Sequence, residues 1–264
     1  MNVTPKIEIT DLLTADLHLH TVYCDGRNTP EEMVVSAIEK GLSCIGFSGH
    51  SYVDFDPGCG MDAAALEAYR KDILALKEAY GDKIRILCGI ELDSYSAVPE
   101  GTFDYVIGSV HYLDCPLRPA AVDDTPEELM EAVQKHFGND YYLAAERYYA
   151  AISEVVQKTG CDIIGHFDLI AKYNQRYRLF DEQHPRYKKA WRAALDQLLP
   201  QGKIFEINTG AVSRGWRDTP YPAPEMIDYI RQRGGRFLLS SDSHSCETIG
   251  YGFREAAENA RLQG

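Results

Sequence analysis

Six of the eight histidines in this 264-residue chain stand at or near the ends of short apolar runs. These histidines are His18, His20, His50, His111, His166 and His244. The acidic residues Asp16, Glu91, Asp168 and Asp242 occupy similar places. Burying six imidazoles together without a ligand would be costly. Imidazole and carboxylate groups without a thiolate favour Zn, Mn or Fe, so this pattern predicts a metal site.

The first run, DLHLH, alternates polar and apolar side chains. Period-two alternation predicts that Asp16, His18 and His20 share one face of a strand. Two imidazoles spaced in this way form a chelating pair. The remaining histidines, His136 and His184, fall in helical or loop segments and are expected at the surface.

Seven strand-length runs must position these side chains. The runs span residues 15–20, 42–50, 84–93, 105–113, 161–168, 203–209 and 236–244. Helices are predicted between most of them, beginning with capping sequences at Thr29 and Thr125, and covering 62–80, 141–158, 186–199 and 224–233. Strands that alternate with helices predict an α/β fold with a parallel sheet.

The distribution of candidate ligands also predicts how that sheet is shaped. In an open sheet, only the strands beside the switch point reach one crevice. Ligands that follow six of seven strands can meet only at the C-terminal mouth of a closed barrel. We therefore predict a distorted, TIM-like (β/α)7 barrel in which residues 1–264 form one domain. Eight or nine candidate ligands are too many for one ion and imply two or three.

Composition excludes several classes of function. The charge of 27 − 40 = −13 disfavours a nucleic-acid partner. No apolar run approaches the roughly 18 residues of a membrane span, and the first ten residues lack the apolar segment of a secretory signal. The seven cysteines are odd in number and form no C-x-x-C motif, which predicts reduced thiols and a cytoplasmic location. The pattern gives no oligomeric state.

Eight short motifs carry a family resemblance. In chain order they are DLHLHT (16–21), CDG (24–26), GFSGH (46–50), GIELD (89–93), IGSVHYL (107–113), GHFDLI (165–170), EINTGA (206–211) and SSDSH (240–244). Together they resemble the polymerase and histidinol phosphatase (PHP) superfamily, and within it the histidinol-phosphate phosphatase branch. The resemblance implies a metal-dependent phosphomonoesterase that converts L-histidinol phosphate into L-histidinol and phosphate.

The resemblance also implies a trinuclear site in the barrel mouth. One metal would take His18, His20, Glu91 and Asp242. A second would share Glu91 and take His111 and His166, and a third would take Asp25, His50 and His244. Catalytic roles fall to Glu91, Asp242 and His244, with attack by a hydroxide that bridges two metals. Asp16 would orient a ligand histidine.

Substrate contacts are predicted from position along the chain. Arg214 follows the sixth run, and Arg176 and Arg178 follow the fifth, so these three are candidate phosphate ligands. Lys172 and Tyr173 are expected on the same rim. Two alternatives stay open: another PHP phosphoesterase, acting on nucleotides or phosphotyrosine proteins, and a non-catalytic metal-binding module. The net charge argues against an exonuclease.

Overall fold

A computed structural model describes residues 11–262 and contains seven parallel strands that form a nearly closed barrel. The order around the barrel is β1-β2-β3-β4-β7-β8-β9. These strands are β1 (Ala15–Leu19), β2 (Cys44–Phe47), β3 (Arg85–Asp93), β4 (Tyr105–Ser109), β7 (Ile163–Ile164), β8 (Ile204–Asn208) and β9 (Arg236–Ser240). The predicted seven-stranded α/β barrel is confirmed. The prediction about the first ten residues lies outside the described part of the chain.

Helices connect most of the barrel strands. They are α1 (Pro30–Glu39), α2 (Ala63–Tyr80), α3 (Pro126–His136), α4 (Tyr141–Ser153), α5 (Val155–Thr159), α6 (Asn174–Tyr177), α7 (Pro185–Leu198), α8 (Gly210–Ser213), α9 (Pro224–Gln232) and α10 (Phe253–Ala260). The predicted cap at Thr29 forms a full capping box with Glu32, and Thr125 caps α3. None of the described helices has the length and apolarity needed to cross a bilayer.

Two predicted elements are divided in the structure. The helix predicted over 141–158 breaks into α4 and α5 at Glu154, whose N–H bonds to the Ala151 carbonyl three residues back and tightens the turn. The run at 105–113 leaves the barrel after Ser109. Its last part, β5 (Tyr112–Leu113), pairs antiparallel with β6 (Ala120–Ala121) and forms a hairpin beside the barrel mouth.

The barrel closes between the strands that carry the first and last candidate ligands. Leu19 pairs with Ser243 in a parallel bridge. The His20 N–H donates to the Ser243 carbonyl at 2.9 Å, and the Ser243 N–H donates to the His18 carbonyl at 3.1 Å. The backbone hydrogen bonds that complete the barrel therefore also set the spacing between the DLHLH and SSDSH segments.

The prediction that Asp16, His18 and His20 share one face of a strand is wrong, because the register of β1 shifts between Asp16 and Leu19. Leu17 packs among interior side chains such as Ile107 and Ile204, and His18, the next residue, also points inward, where Nδ1 lies 2.8 Å from Glu206 Oε2. Asp16 accepts from the N–H groups of Ser241 and Gly250 at 3.1 and 2.9 Å.

Asp16 therefore joins β1 to the segment after β9. Within residues 11–262 its carboxylate makes no hydrogen bond to a histidine side chain, and it accepts only a long bond of 3.4 Å from the backbone N–H of His18. The expected role in orienting a ligand imidazole passes to other acidic residues, which are described below.

Tyr105 fills the floor of the barrel beneath the candidate site. Its hydroxyl donates to the carbonyls of Leu17 and Phe47 at 2.5 and 3.1 Å, and its ring lies against two glycines. A Cβ at Gly89 would stand 2.3 Å from Tyr105 Cζ. Because hydrogen bonds hold its hydroxyl, the ring cannot easily move away from an added methyl group.

We expect Gly89→Ala to lower the free energy of unfolding by about 1–3 kcal/mol, the usual cost of overpacking a core. Denaturant unfolding followed by circular dichroism measures this change. Gly58→Ala is the matched control, since a Cβ there meets nothing within 4 Å, and its effect should stay within about 0.5 kcal/mol. Equal stability of both variants would contradict the packing of the floor.

Candidate metal centre

All nine residues predicted as metal ligands lie together at the C-terminal mouth of the barrel. His18 and His20 belong to the end of β1, and the turn after it carries Asp25. Glu91 lies in β3, and the other five follow the barrel strands β2, β4, β7 and β9: His50, His111, His166, Asp242 and His244. The strands end at one rim because they run parallel, so side chains distant in sequence meet there.

Glu91 is the centre of the cluster, and one of its carboxylate oxygens faces three histidines. Oε2 lies 2.9 Å from His50 Nδ1, 3.3 Å from His18 Nε2 and 3.7 Å from His20 Nε2. Asp242 Oδ1 closes the same group at 3.3 Å from His20 Nε2 and 3.8 Å from His18 Nε2. The imidazoles of His18 and His20 each lie near both carboxylates, so these four groups converge on one point.

The other oxygen of Glu91 faces a second group. Oε1 lies 3.0 Å from His166 Nε2 and 3.4 Å from His111 Nε2, and it accepts a hydrogen bond from the Ser109 hydroxyl. One buried carboxylate thus connects two sets of imidazoles, with one oxygen for each set.

A third group forms on the outer side of His20. Asp25 Oδ2 lies 3.0 Å from His244 Nε2 and 3.7 Å from His50 Nε2. Asp25 Oδ1 lies 3.5 Å from His20 Nδ1, and the His20 ring stacks on His244 with centroids 4.1 Å apart. The three groups are therefore continuous, because His20 and His50 each touch two of them.

The donor atoms fit divalent metal ions. Metal–nitrogen and metal–oxygen bonds of about 2.0–2.2 Å in a tetrahedron place ligand atoms roughly 3.4 Å apart, close to the separations in all three groups. His18 Nε2, His20 Nε2 and Glu91 Oε2 are buried and make no hydrogen bond to any described residue. Orphaned buried polar atoms are costly, and a metal ion at their meeting point would satisfy all three.

Electrostatics keep two of the donors, His20 and Asp25, in forms that bind metals. Burial and the neighbouring imidazoles of His244 and His50 lower the pKa of His20 to about 3, so its ring is neutral and retains a lone pair. Burial alone would raise the pKa of Asp25, but attraction to His50 and His244 outweighs it and holds the carboxyl pKa below its usual range. Asp25 is therefore ionised.

Two acidic residues that the sequence analysis missed hold the ligand histidines. Glu206 Oε2 lies 2.8 Å from His18 Nδ1, and Ser240 donates to the same oxygen at 2.7 Å. Asp93 Oδ2 accepts from the backbone N–H of His111 at 2.8 Å and lies 3.1 Å from its Nδ1. Such partners fix the tautomer and the orientation of a ligating imidazole.

Asp242 has an unusual backbone conformation, and its side chain packs against Gly210. Its φ is +49°, in the left-handed region. Arg214 Nη2 donates to its carboxylate at 3.0 Å, and Nη1 donates to its carbonyl at 3.0 Å. A Cβ at Gly210 would lie 2.8 Å from Asp242 Oδ2 and 2.7 Å from Arg214 Nη2, so only glycine allows this pair to form.

A cavity of about 520 Å³ opens above the cluster, and Arg214, Arg27 and Lys172 are its cationic lining residues. The structure does not bring Arg176 or Arg178 to this cavity. The Arg176 guanidinium donates to the Gly215 carbonyl, and exposed Arg178 ends α6. Of the three candidate arginines, only Arg214 lines the cavity.

The expected rim residues Lys172 and Tyr173 are both buried. Lys172 Nζ lies 3.3 Å from the Asp123 carboxylate and donates to its carbonyl at 2.7 Å. The Tyr173 hydroxyl donates to the same carbonyl at 2.6 Å. Lys172 therefore lines the cavity as a cation whose charge is already matched by Asp123.

Comparison with known proteins assigns the family. The model of the PHP domain matches residues 16–210, which is most of the chain. This chain belongs to the PHP domain family. A PHP relative from Deinococcus radiodurans named "Probable histidinol-phosphatase" is 31% identical over 263 residues, covering 94% of this chain and 93% of its own. A Schizosaccharomyces pombe protein of the same name is 27% identical over 247 residues, covering 86% and 78%.

Solved structures show the same PHP fold at lower identity. A candidate histidinol phosphatase from Listeria monocytogenes has a TM-score of 0.79 at 20% identity, covering 91% of this chain and 99% of its own. The histidinol phosphate phosphatase of Lactococcus lactis, crystallised with Zn, L-histidinol and phosphate, has a TM-score of 0.72 at 23% identity, covering 95% and 94%.

We expect Glu206→Gln to weaken metal binding by this PHP site about 10- to 100-fold, because the amide cannot supply the negative charge that raises the basicity of His18. Competition with a chromogenic zinc chelator measures the affinity. Glu131→Gln, on the exposed face of α3, is the control. A competition curve that matches the wild type would show that Glu206 does not tune His18.

Proposed function

We propose that this protein is a metal-dependent phosphatase that hydrolyses L-histidinol phosphate to L-histidinol and phosphate. The observation that carries the proposal is the set of candidate metal ligands in and around Glu91 at the base of a cavity that Arg214 also lines. The relative with 31% identity over nearly the whole chain is named "Probable histidinol-phosphatase". The Lactococcus lactis protein, which shares the fold, binds zinc and both products.

We assign the ions, as Zn, Mn or Fe, to the three groups of donors. His18, His20, Glu91 and Asp242 would hold the first ion. Glu91, His111 and His166 would hold the second, and Asp25, His50 and His244 would hold the third. Bound ions of this kind neutralise phosphoryl oxygens and make water a stronger acid at neutral pH.

The chain's own residues supply position and charge for this reaction. Glu91 bridges two groups and fixes how far apart they stand. Asp242 holds the Arg214 guanidinium through its carboxylate and its carbonyl, which leaves other N–H groups of Arg214 free to bind phosphate oxygens. A guanidinium held in this way is suited to bidentate phosphate binding. Of the three arginines predicted to bind phosphate, we therefore keep only Arg214.

We also propose that residues 1–264 act as one domain, in the cytoplasm, on a small phosphate ester. All seven cysteines lie in the described residues and none forms a disulfide, which fits a reducing compartment. The charge of −13 disfavours a nucleic-acid substrate.

Removal of divalent ions should abolish phosphate release, and Zn, Mn or Fe should restore it. His18→Ala and Glu91→Ala should each lose nearly all turnover at saturating metal, since both remove donors from the same group. A phosphate-release assay with parallel metal analysis tests this. His136→Ala, at an exposed position on α3, is the matched control. Full activity in demonstrably metal-free protein would refute the metal-dependent mechanism.

Arg214→Ala should lower kcat/KM about 10- to 150-fold for both L-histidinol phosphate and phenyl phosphate. The loss corresponds to one charge-assisted contact of about 1.5–3 kcal/mol, and both esters present the same phosphoryl group. Arg176→Ala is the control. Rates of Arg214→Ala within twofold of wild type would exclude this role. A higher wild-type kcat/KM for AMP or a phosphotyrosine peptide would instead exclude L-histidinol phosphate as the preferred substrate.

A further inference from the structure

The cavity above the cluster is lined by a carboxylate that the metal centre does not use. Arg214 follows β8, and Asp56 lies in the segment between β2 and α2. That segment brings Asp56 to the hairpin that follows β4, where the Tyr112 hydroxyl bonds to its carboxylate. Asp56 and Arg214 line the same cavity.

Asp56 differs from the other carboxylates that line this cavity. Those are Asp25, Asp93, Asp123, Asp124 and Asp242. Asp25 and Asp242 belong to the donor groups, Asp93 holds His111, and Asp123 is paired with Lys172. Asp124 is exposed. Asp56 is half-buried and forms no ion pair with any described residue.

The Asp56 carboxylate is held in position by the hairpin beside the mouth. The Tyr112 hydroxyl donates to Asp56 Oδ2 at 2.8 Å. The Tyr112 ring packs edge-on against Phe55 at 4.8 Å between centroids, and Phe55 packs edge-on against Tyr95 at 5.4 Å. One hydrogen bond uses only part of a carboxylate's accepting capacity. A fixed carboxylate with free acceptor sites binds a cation with little loss of entropy.

We propose that Asp56 is a specificity-determining residue that binds the cationic, nitrogen-bearing end of the substrate while its phosphate lies at the metal centre. L-Histidinol phosphate has this polarity, since an ammonium and an imidazole stand on the alcohol portion and a phosphate dianion at the other end. The assignment rests on the proposed function for the position of the phosphate. The proposed role of Asp56 explains how the site selects against uncharged and anionic leaving groups, since these offer the carboxylate no positive charge.

The test compares Asp56→Asn with Asp54→Asn, an exposed aspartate in the same segment, in metal-loaded protein. Calorimetric titration with L-histidinol measures binding of the nitrogen-bearing product, and titration with inorganic phosphate measures binding at the metal end. We expect Asp56→Asn to raise the Kd for L-histidinol about 10- to 100-fold, with a much smaller change for phosphate. Tyr112→Phe should give a smaller rise, since it removes only the group that positions the carboxylate.

Kinetics provide the second measurement. The loss of kcat/KM in Asp56→Asn should be at least about tenfold greater for L-histidinol phosphate than for phenyl phosphate. Asp54→Asn should keep the wild-type kcat/KM for both esters. Equal losses for both esters, or an unchanged Kd for L-histidinol, would overturn the assignment of Asp56. A wild-type enzyme that does not prefer L-histidinol phosphate over phenyl phosphate would instead overturn the proposed function, and this outcome needs no variant.

Discussion

The structure depends on the burial of Glu91 among five imidazoles. A carboxylate removed from water is stable only where positive charge or hydrogen-bond donors surround it. Here burial would raise the pKa of Glu91, but the histidines, above all His18 and His50, hold it well below its ordinary range. The histidines come from strands on different sides of the barrel, so they can surround one carboxylate only if the barrel closes. The candidate metal centre and the fold therefore both require a closed barrel.

Closure of the barrel is strengthened where the chemistry requires it. The backbone bonds between the His18–His20 segment and Ser243 join the first and last strands at the level of the candidate ligands. Asp16 adds a second connection below them through Ser241 and Gly250. Asp242 lies between these two connections with a left-handed backbone, a conformation that costs free energy and persists only where the surroundings determine it. Any loosening of this seam would separate Asp242 from His18 and His20.

The sequence was sufficient for the fold and for most of the residues that meet at the mouth, because these stand at or just after the end of a recognisable strand. Asp25 is the exception, since only the family resemblance pointed to it. The sequence failed where position depends on irregular backbone. A register shift in β1 separates Asp16 from His18, and period-two reasoning cannot detect such a shift. Arg176 bonds to the Gly215 carbonyl and does not line the cavity, which its position after the fifth run does not reveal. By contrast, Asp93 could have been found, because it stands two residues after Glu91 on one strand. Glu206 could have been found as the one acidic residue of the run at 203–209.

The negative net charge of the chain opposes the binding of a phosphate ester, which the site must overcome locally. A protein with net charge −13 repels a phosphate dianion at long range, although salt screens that repulsion beyond about 8–10 Å. Binding must then come from positive charge inside the cavity. Arg214 and Lys172 line it, but each is paired with an aspartate, Asp242 and Asp123 respectively, so bound cations must provide most of the positive charge. The same acidic surroundings favour a substrate that carries its own positive charge, because attraction at its nitrogen-bearing end offsets the repulsion of its phosphate.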